Sequence, residues 1–147
     1  MKNLSYKQLL LFRSKLRTPF EITIEGTSML PVLHPGERVS VCGKDDYQIG
    51  DIIVFFYKNN NLLVHRLLKI ENGRFFCKGD NSFRLEDITK ENIVGTIMIQ
   101  SDTNNNEEFI ESSYLINRLF RQCGYDIEKT KMSAEYASYY QTYIDKK

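Results

Sequence analysis

A mainly β fold is what this 147-residue sequence predicts. It is a coiled, barrel-like antiparallel sheet with a short N-terminal helix and a C-terminal helical appendage. Three observations predict it. Short runs rich in β-branched and aromatic residues follow one another from Phe20 to Gln100. Turn signals separate them: Pro35-Gly36, Gly50-Asp51, Asn59-Asn60-Asn61 and Asn72-Gly73. Helical spacing appears only outside that region.

Leu4 to Leu16 reads as a short amphipathic helix with Ser5 as N-cap and Thr18-Pro19 as its stop. The strands that follow are expected at Glu21–Glu25, Arg38–Val41, Asp51–Tyr57, Leu62–Ile70, Arg74–Lys78 and Ile93–Ile99. Asn72-Gly73 is the strongest hairpin signal among the turns. The polar run Ser101–Glu108 reads as a linker or exposed loop. Beyond it, Phe109 to Gln122 has helical periodicity, closed by Gly124. A second helix is expected from Ser133 to Asp145, with Tyr136, Tyr139, Tyr140 and Tyr143 as a packing stripe. The chain thus divides into residues 1–19, an N-terminal helix; 20–100, a β domain; and 101–147, a linker and helical appendage.

Composition excludes several classes. A hydrophobic share of 41% argues against disorder, and a net charge of +1 gives no electrostatic case for nucleic acid. Cys42, Cys77 and Cys123 are odd in number and lack C-x-x-C spacing, so neither a disulfide framework nor a zinc site is expected. No metal or cofactor motif is present. Leu9-Leu10-Leu11-Phe12 is too short for a signal-peptide core and gives way to Arg13, Lys15 and Arg17. No apolar run reaches membrane-spanning length, so a soluble, cytoplasmic protein is expected. Met1–Phe20 carries basic but no acidic residues, which makes the first helix a candidate for peripheral contact with an anionic membrane surface. A helix packed on the domain with its charges in water is the other reading.

One serine stands apart by its setting. Ser28, in Gly26-Thr27-Ser28-Met29-Leu30-Pro31, follows a strand at a sharp turn. Such a turn exposes Oγ and aims backbone N–H groups at a developing oxyanion. Of the two histidines, His34 lies in a turn, while His65 lies inside the apolar strand and shares a face with Leu63 and Leu67. His65 is therefore the candidate base. An orienting carboxylate is sought among Asp80, Glu86 and Asp87, which the sequence alone does not separate.

Together these segments resemble the type I signal peptidase family, within the broader LexA-like serine peptidase fold. Gly26–Pro31 is similar to its nucleophile block, and Gly50-Asp51-Ile52-Ile53-Val54-Phe55 to its glycine-aspartate strand. Leu63-Val64-His65-Arg66-Leu67 is similar to its base block, Lys78-Gly79-Asp80-Asn81-Ser82 to its acidic block, and Ile93-Val94-Gly95-Thr96 to its closing strand. A histidine at the base position points to the endoplasmic-reticulum, archaeal and spore-former branch. The resemblance implies Ser28 as nucleophile and His65 as general base. It implies a third member from Asp80 or from the Glu86/Asp87 position. It also implies an oxyanion hole at the Ser28 N–H beside Gly26 and Thr27, and Met29 at the cleft floor. The expected partner is a peptide or protein precursor bound along strand Glu21–Glu25, whose leader or signal-like segment is removed; no cofactor is implied. A LexA-like self-cleaving regulator and an inactive peptide-binding module of the same fold are the alternatives.

Overall fold

The computed structural model describes residues 5–144, with side chains described through Tyr140 in the last helix. The expected helix start at Leu4, the side chain of Tyr143 and the expected end at Asp145 lie outside what is described. Along the chain come α1 (Tyr6–Lys15), β1 (Phe20–Thr23), β2 (Arg38–Cys42), β3 (Ile52–Tyr57), β4 (Asn61–Glu71) and β5 (Arg74–Lys78). β6 (Glu86–Thr89), β7 (Ile93–Met98), α2 (Glu107–Gln122), α3 (Ile127–Met132) and α4 (Ala134–Ile144) follow.

The seven strands form one antiparallel sheet in the order β1-β2-β7-β3-β4-β5-β6, curled into a half-barrel. β3 lies near its centre, and its residues Ile52–Phe56 are all buried. Alternation sends Ile52, Val54 and Phe56 into a core shared with Leu10 of α1, Met29 and Leu33. Ile53 and Phe55 enter a second core with Leu67, Phe75, Cys77 and Ile88 on the other side. β4 and β5 meet in a two-residue hairpin at Asn72-Gly73, both at positive φ.

Ser5 caps α1 through a capping box with Gln8. The helix rests on the sheet through Leu10 and Ser14, and leaves Tyr6, Leu9, Phe12 and Leu16 exposed.

Three elements differ from the sequence reading, one being the short helix α3 at Ile127–Met132, where no element was expected. β6 was not expected, because Glu-Asp-Ile-Thr holds a single apolar residue; its register against β5 makes it an edge strand. The segment Ser101–Glu108, expected as an exposed loop, is partly inside: Asn104 is buried and Asn106 caps α2. From there α2 packs on the half-barrel. Phe109 is fully buried and forms a core with Ile116, Phe83, Tyr136 and Tyr139, so these tyrosines are a packing face. Asn117 Nδ2 donates to the Phe83 carbonyl at 2.8 Å.

Phe109→Ala is expected to lower the unfolding free energy by about 3–5 kcal/mol, read by denaturant titration, since it empties the seam between helices and sheet.

Candidate active site

The segment around Ser28 is held by its neighbours more than by itself. Gly26 turns the chain at φ +72°, a conformation that L side chains rarely adopt. Asn81 N–H then donates to the Ser28 carbonyl at 2.8 Å, and Asn81 Nδ2 to the Thr27 carbonyl at 3.1 Å. Asp80 N–H points at Met29 Sδ, 3.4 Å away. Gly79 makes this approach possible: a Cβ there would fall 2.7 Å from the Ser28 carbonyl oxygen and 3.0 Å from Ser28 Cβ. The Lys78–Ser82 segment is thus a cradle for residues 27–29.

His65 reaches the serine from β4. Its Nε2 lies 3.0 Å from Ser28 Oγ, its ring is buried, and its edge meets Phe55 at a centroid distance of 6.2 Å. On the far side of the ring, Nδ1 is in contact with Glu86 Oε1. The contact is an ion-pair approach and not an aligned hydrogen bond: His65 Nδ1 and Glu86 Oε2 have no aligned partner among the described residues.

Of the three carboxylates left open by the sequence, the structure therefore brings Glu86 to the histidine. Asp80 and Asp87 stand elsewhere. Asp87 alternates to the outer face of β6 and pairs with Arg74 Nε at 2.7 Å. Asp80 is buried, but it faces Arg66: Nε and Nη2 of Arg66 meet its two oxygens at 2.9 Å each. Once Glu86–Thr89 is known to be a strand, one feature of its sequence separates Glu86. Ile88 is the apolar anchor of β6, and period-two alternation puts Glu86 on the same inward face. His34 is exposed in its turn.

Arg66, next to His65, is the centre of a second network. Its Nη1 and Nη2 also meet Asp102 Oδ2 and Oδ1 at 2.8 and 2.9 Å, and Nη1 donates to the Gly50 carbonyl at 2.8 Å. Asn104 Nδ2 adds 3.1 Å to Asp80 Oδ2. Burial disfavours the guanidinium charge, but the Asp80 and Asp102 carboxylates outweigh it and hold the group protonated, above its ordinary range. The Gly50-Asp51 block thus serves as a brace, with Gly50 N–H and the Asp51 carbonyl bonded to Leu67 at 2.8 Å each.

Lys78 is the other buried cation. Its Nζ donates to the Gly79 carbonyl at 3.0 Å and to Ser113 Oγ of α2 at 2.8 Å. Burial lowers its pKa to about 8, against the opposing pull of Asp80 and Glu86.

A cleft of about 690 Å³ opens beside Ser28 and His65. One wall is Glu21–Glu25, along and just beyond β1; the other is Asn61–Val64 of β4. Both walls are strand edges. β1 pairs only with β2, and β4 meets β5 only from Arg66 onward. Among the described residues, no three His, Cys, Asp or Glu side chains are grouped to hold a metal ion. Nor is any helix among them long and apolar enough to cross a membrane.

A hydroxyl within hydrogen-bond reach of an imidazole, itself backed by a carboxylate at the end of a cleft walled by strand edges, is the arrangement of a serine peptidase. The family model described as Peptidase S24-like matches residues 2–98, about two thirds of the chain, and the chain belongs to that family. A comparison with curated proteins finds no match.

Two outcomes follow from the buried cations. Asp102→Ala leaves Arg66 paired with Asp80 but with unmet donors in a dry site, and is expected to cost about 1–3 kcal/mol of stability. Lys78 shifts from 10.5 to about 8 on folding, so between these values the unfolded chain binds more protons and stability rises with pH. Lys78→Met removes that exchange. Over the same window, denaturation should show wild type gaining up to about 3 kcal/mol relative to the variant.

Proposed function

We propose that this chain is a serine endopeptidase that removes a leader or signal-like segment from a peptide or protein precursor, with Ser28 as nucleophile, His65 as general base and Glu86 as the group that orients His65. The 3.0 Å separation of His65 Nε2 from Ser28 Oγ, with Glu86 against the opposite nitrogen, carries this reading. Ser28 Oγ attacks the scissile carbonyl carbon as its proton passes to His65 Nε2. The tetrahedral oxyanion is stabilised by the Ser28 N–H; a hydroxyl two residues earlier would add a donor, but that position is Gly26. Collapse expels the amine, which takes the proton from His65 and leaves an acyl-serine. Water, deprotonated by the same ring, then hydrolyses the ester.

Glu86 suits its part through burial. An imidazolium formed here meets a carboxylate already in contact, in a site where charge is poorly solvated. The substrate enters extended. β1 and the first half of β4 each offer a free edge to the cleft, so the peptide adds as a strand between them.

The self-cleaving alternative shares the S24-like family match, but such regulators cut an Ala-Gly or Cys-Gly bond upstream of the serine, and both Cys-Gly bonds here lie downstream of Ser28. Cys42-Gly43 closes β2, with Cys42 in register with Thr96 of β7, and Cys123-Gly124 ends α2.

The proposal is tested by a serine-directed fluorophosphonate probe together with precursor peptides. Ser28→Ala should abolish labelling and cleavage, and His65→Ala should lower both about 10²–10⁴-fold. Glu86→Gln should lower kcat with little change in KM, whereas Asp87→Asn should resemble wild type. Labelling that survives Ser28→Ala, or equal effects at Glu86 and Asp87, would overturn the assignment.

A further inference from the structure

Helix α1 buries one face and leaves the other unused. Tyr6, Leu9, Phe12 and Leu16 are 61%, 39%, 55% and 58% exposed. At 3.6 residues per turn they fall within about 120° of arc, and they run about 15 Å along the helix. A surface helix ordinarily turns its apolar stripe inward; a contiguous stripe left outside marks an interaction site.

The charges on α1 divide in the same way. Lys7 is engaged by Asn60 and Asn92, and Arg17 by Asp45. Arg13 lies within the exposed stripe and Lys15 lies beside it; neither side chain has a carboxylate partner among the described residues, and the helix carries no acidic residue.

Position supplies the remaining observation. Tyr6 belongs both to this stripe and to the wall of the cleft. The cleft walls run from Glu21 to Glu25 and from Asn61 to His65, each ending at the Ser28–His65 pair. Tyr6 stands near the first turn of α1, whose Lys7 reaches Asn60 next to the Asn61 end. Five residues of extended peptide span about 17 Å and fill such a channel. The chain that continues past them emerges over Tyr6 onto α1.

We propose that α1 is an exosite for the substrate: the flank that leaves the cleft at Tyr6 lies along the Tyr6–Leu9–Phe12–Leu16 stripe. That flank is an apolar segment carrying acidic residues that meet Arg13 and Lys15. The inference rests on the peptidase reading and adds a substrate class to it. The enzyme selects precursors by a stretch remote from the bond it cuts, and short peptides ending inside the cleft lack that contact. An anionic membrane surface has the same chemistry, but it gives no reason for the stripe to run into the cleft wall.

The test uses a library of proteome-derived peptides, digested by the full chain and read by mass spectrometry, with Ser28→Ala as blank. The peptides that wild type cuts should be enriched, on one flank and roughly 6–15 residues from the cut, in Leu, Ile, Phe, Asp and Glu. Phe12→Glu/Leu16→Glu should cut these about tenfold or more slowly, as losing interface anchors does, while cutting short peptides without the flank at the wild-type rate. Arg13→Glu/Lys15→Glu should lose the acidic preference and keep the apolar one. Cleavage by wild type without flank enrichment, or unchanged by both variants, overturns the exosite and leaves the peptidase reading standing. Cleavage no greater than the Ser28→Ala blank overturns both. Sedimentation with phosphatidylglycerol-containing vesicles that is lost in Phe12→Glu/Leu16→Glu, with no effect on flanked peptides, assigns the stripe to lipid and overturns the exosite.

Discussion

The buried fork of Arg66 is the interaction on which the rest of the structure depends. A guanidinium has five N–H donors in one plane, and in a dry site each needs an acceptor. Here Asp80, Asp102 and the Gly50 carbonyl supply them. These acceptors come from the cradle after β5, the polar segment before α2 and the turn before β3. One side chain therefore fixes three segments distant in sequence, and it does so from the residue after His65. The arrangement is costly to form, and removal of either carboxylate leaves two N–H donors of the buried fork without acceptors.

That constraint explains how a small sheet holds Ser28 in place. The Ser28 segment is bonded by Asn81 and packed through Met29 on the cradle, and the cradle is pinned through Asp80 to Arg66. Lys78 ties the same cradle to Ser113 of α2. Residues 101–124 lie beyond the stretch matched by the family, yet they supply Asp102, Asn104, Ser113 and Asn117 to this framework. Within the polar run after Gln100, Asp102 meets the buried cation, Asn104 meets Asp80 and Asn106 caps α2.

Most of the sheet was legible in the sequence because β-branched runs and Asn or Gly turns mark it locally. Ser5, Asn72-Gly73 and Gly124 did what their chemistry suggests. Ser28 and His65 were legible through their settings and through the order of the blocks around them. What escaped was set by tertiary contact. β6 is short, charged and made a strand only by pairing with β5, and Glu86 went unseparated from its neighbours for the same reason. Asp80 sits in the most recognisable acidic block, but a block does not reveal which base its carboxylate faces. Asp102 and Asn104 read as linker residues, since nothing local distinguishes a solvated aspartate from one aimed at an arginine 36 positions away.

The chemistry reduces to the protonation of one ring. If Glu86 orients His65, the proton of the neutral imidazole sits on Nδ1 and leaves Nε2 free to accept from Ser28. Long-range ¹H–¹⁵N spectra read this tautomer directly, and the chain has only two histidines to assign. The expected result is the Nδ1-protonated form for His65 in wild type and in Asp87→Asn, and a tautomer mixture in Glu86→Gln. A wild-type His65 protonated on Nε2, or a tautomer indifferent to Glu86→Gln, would contradict the assignment of this site.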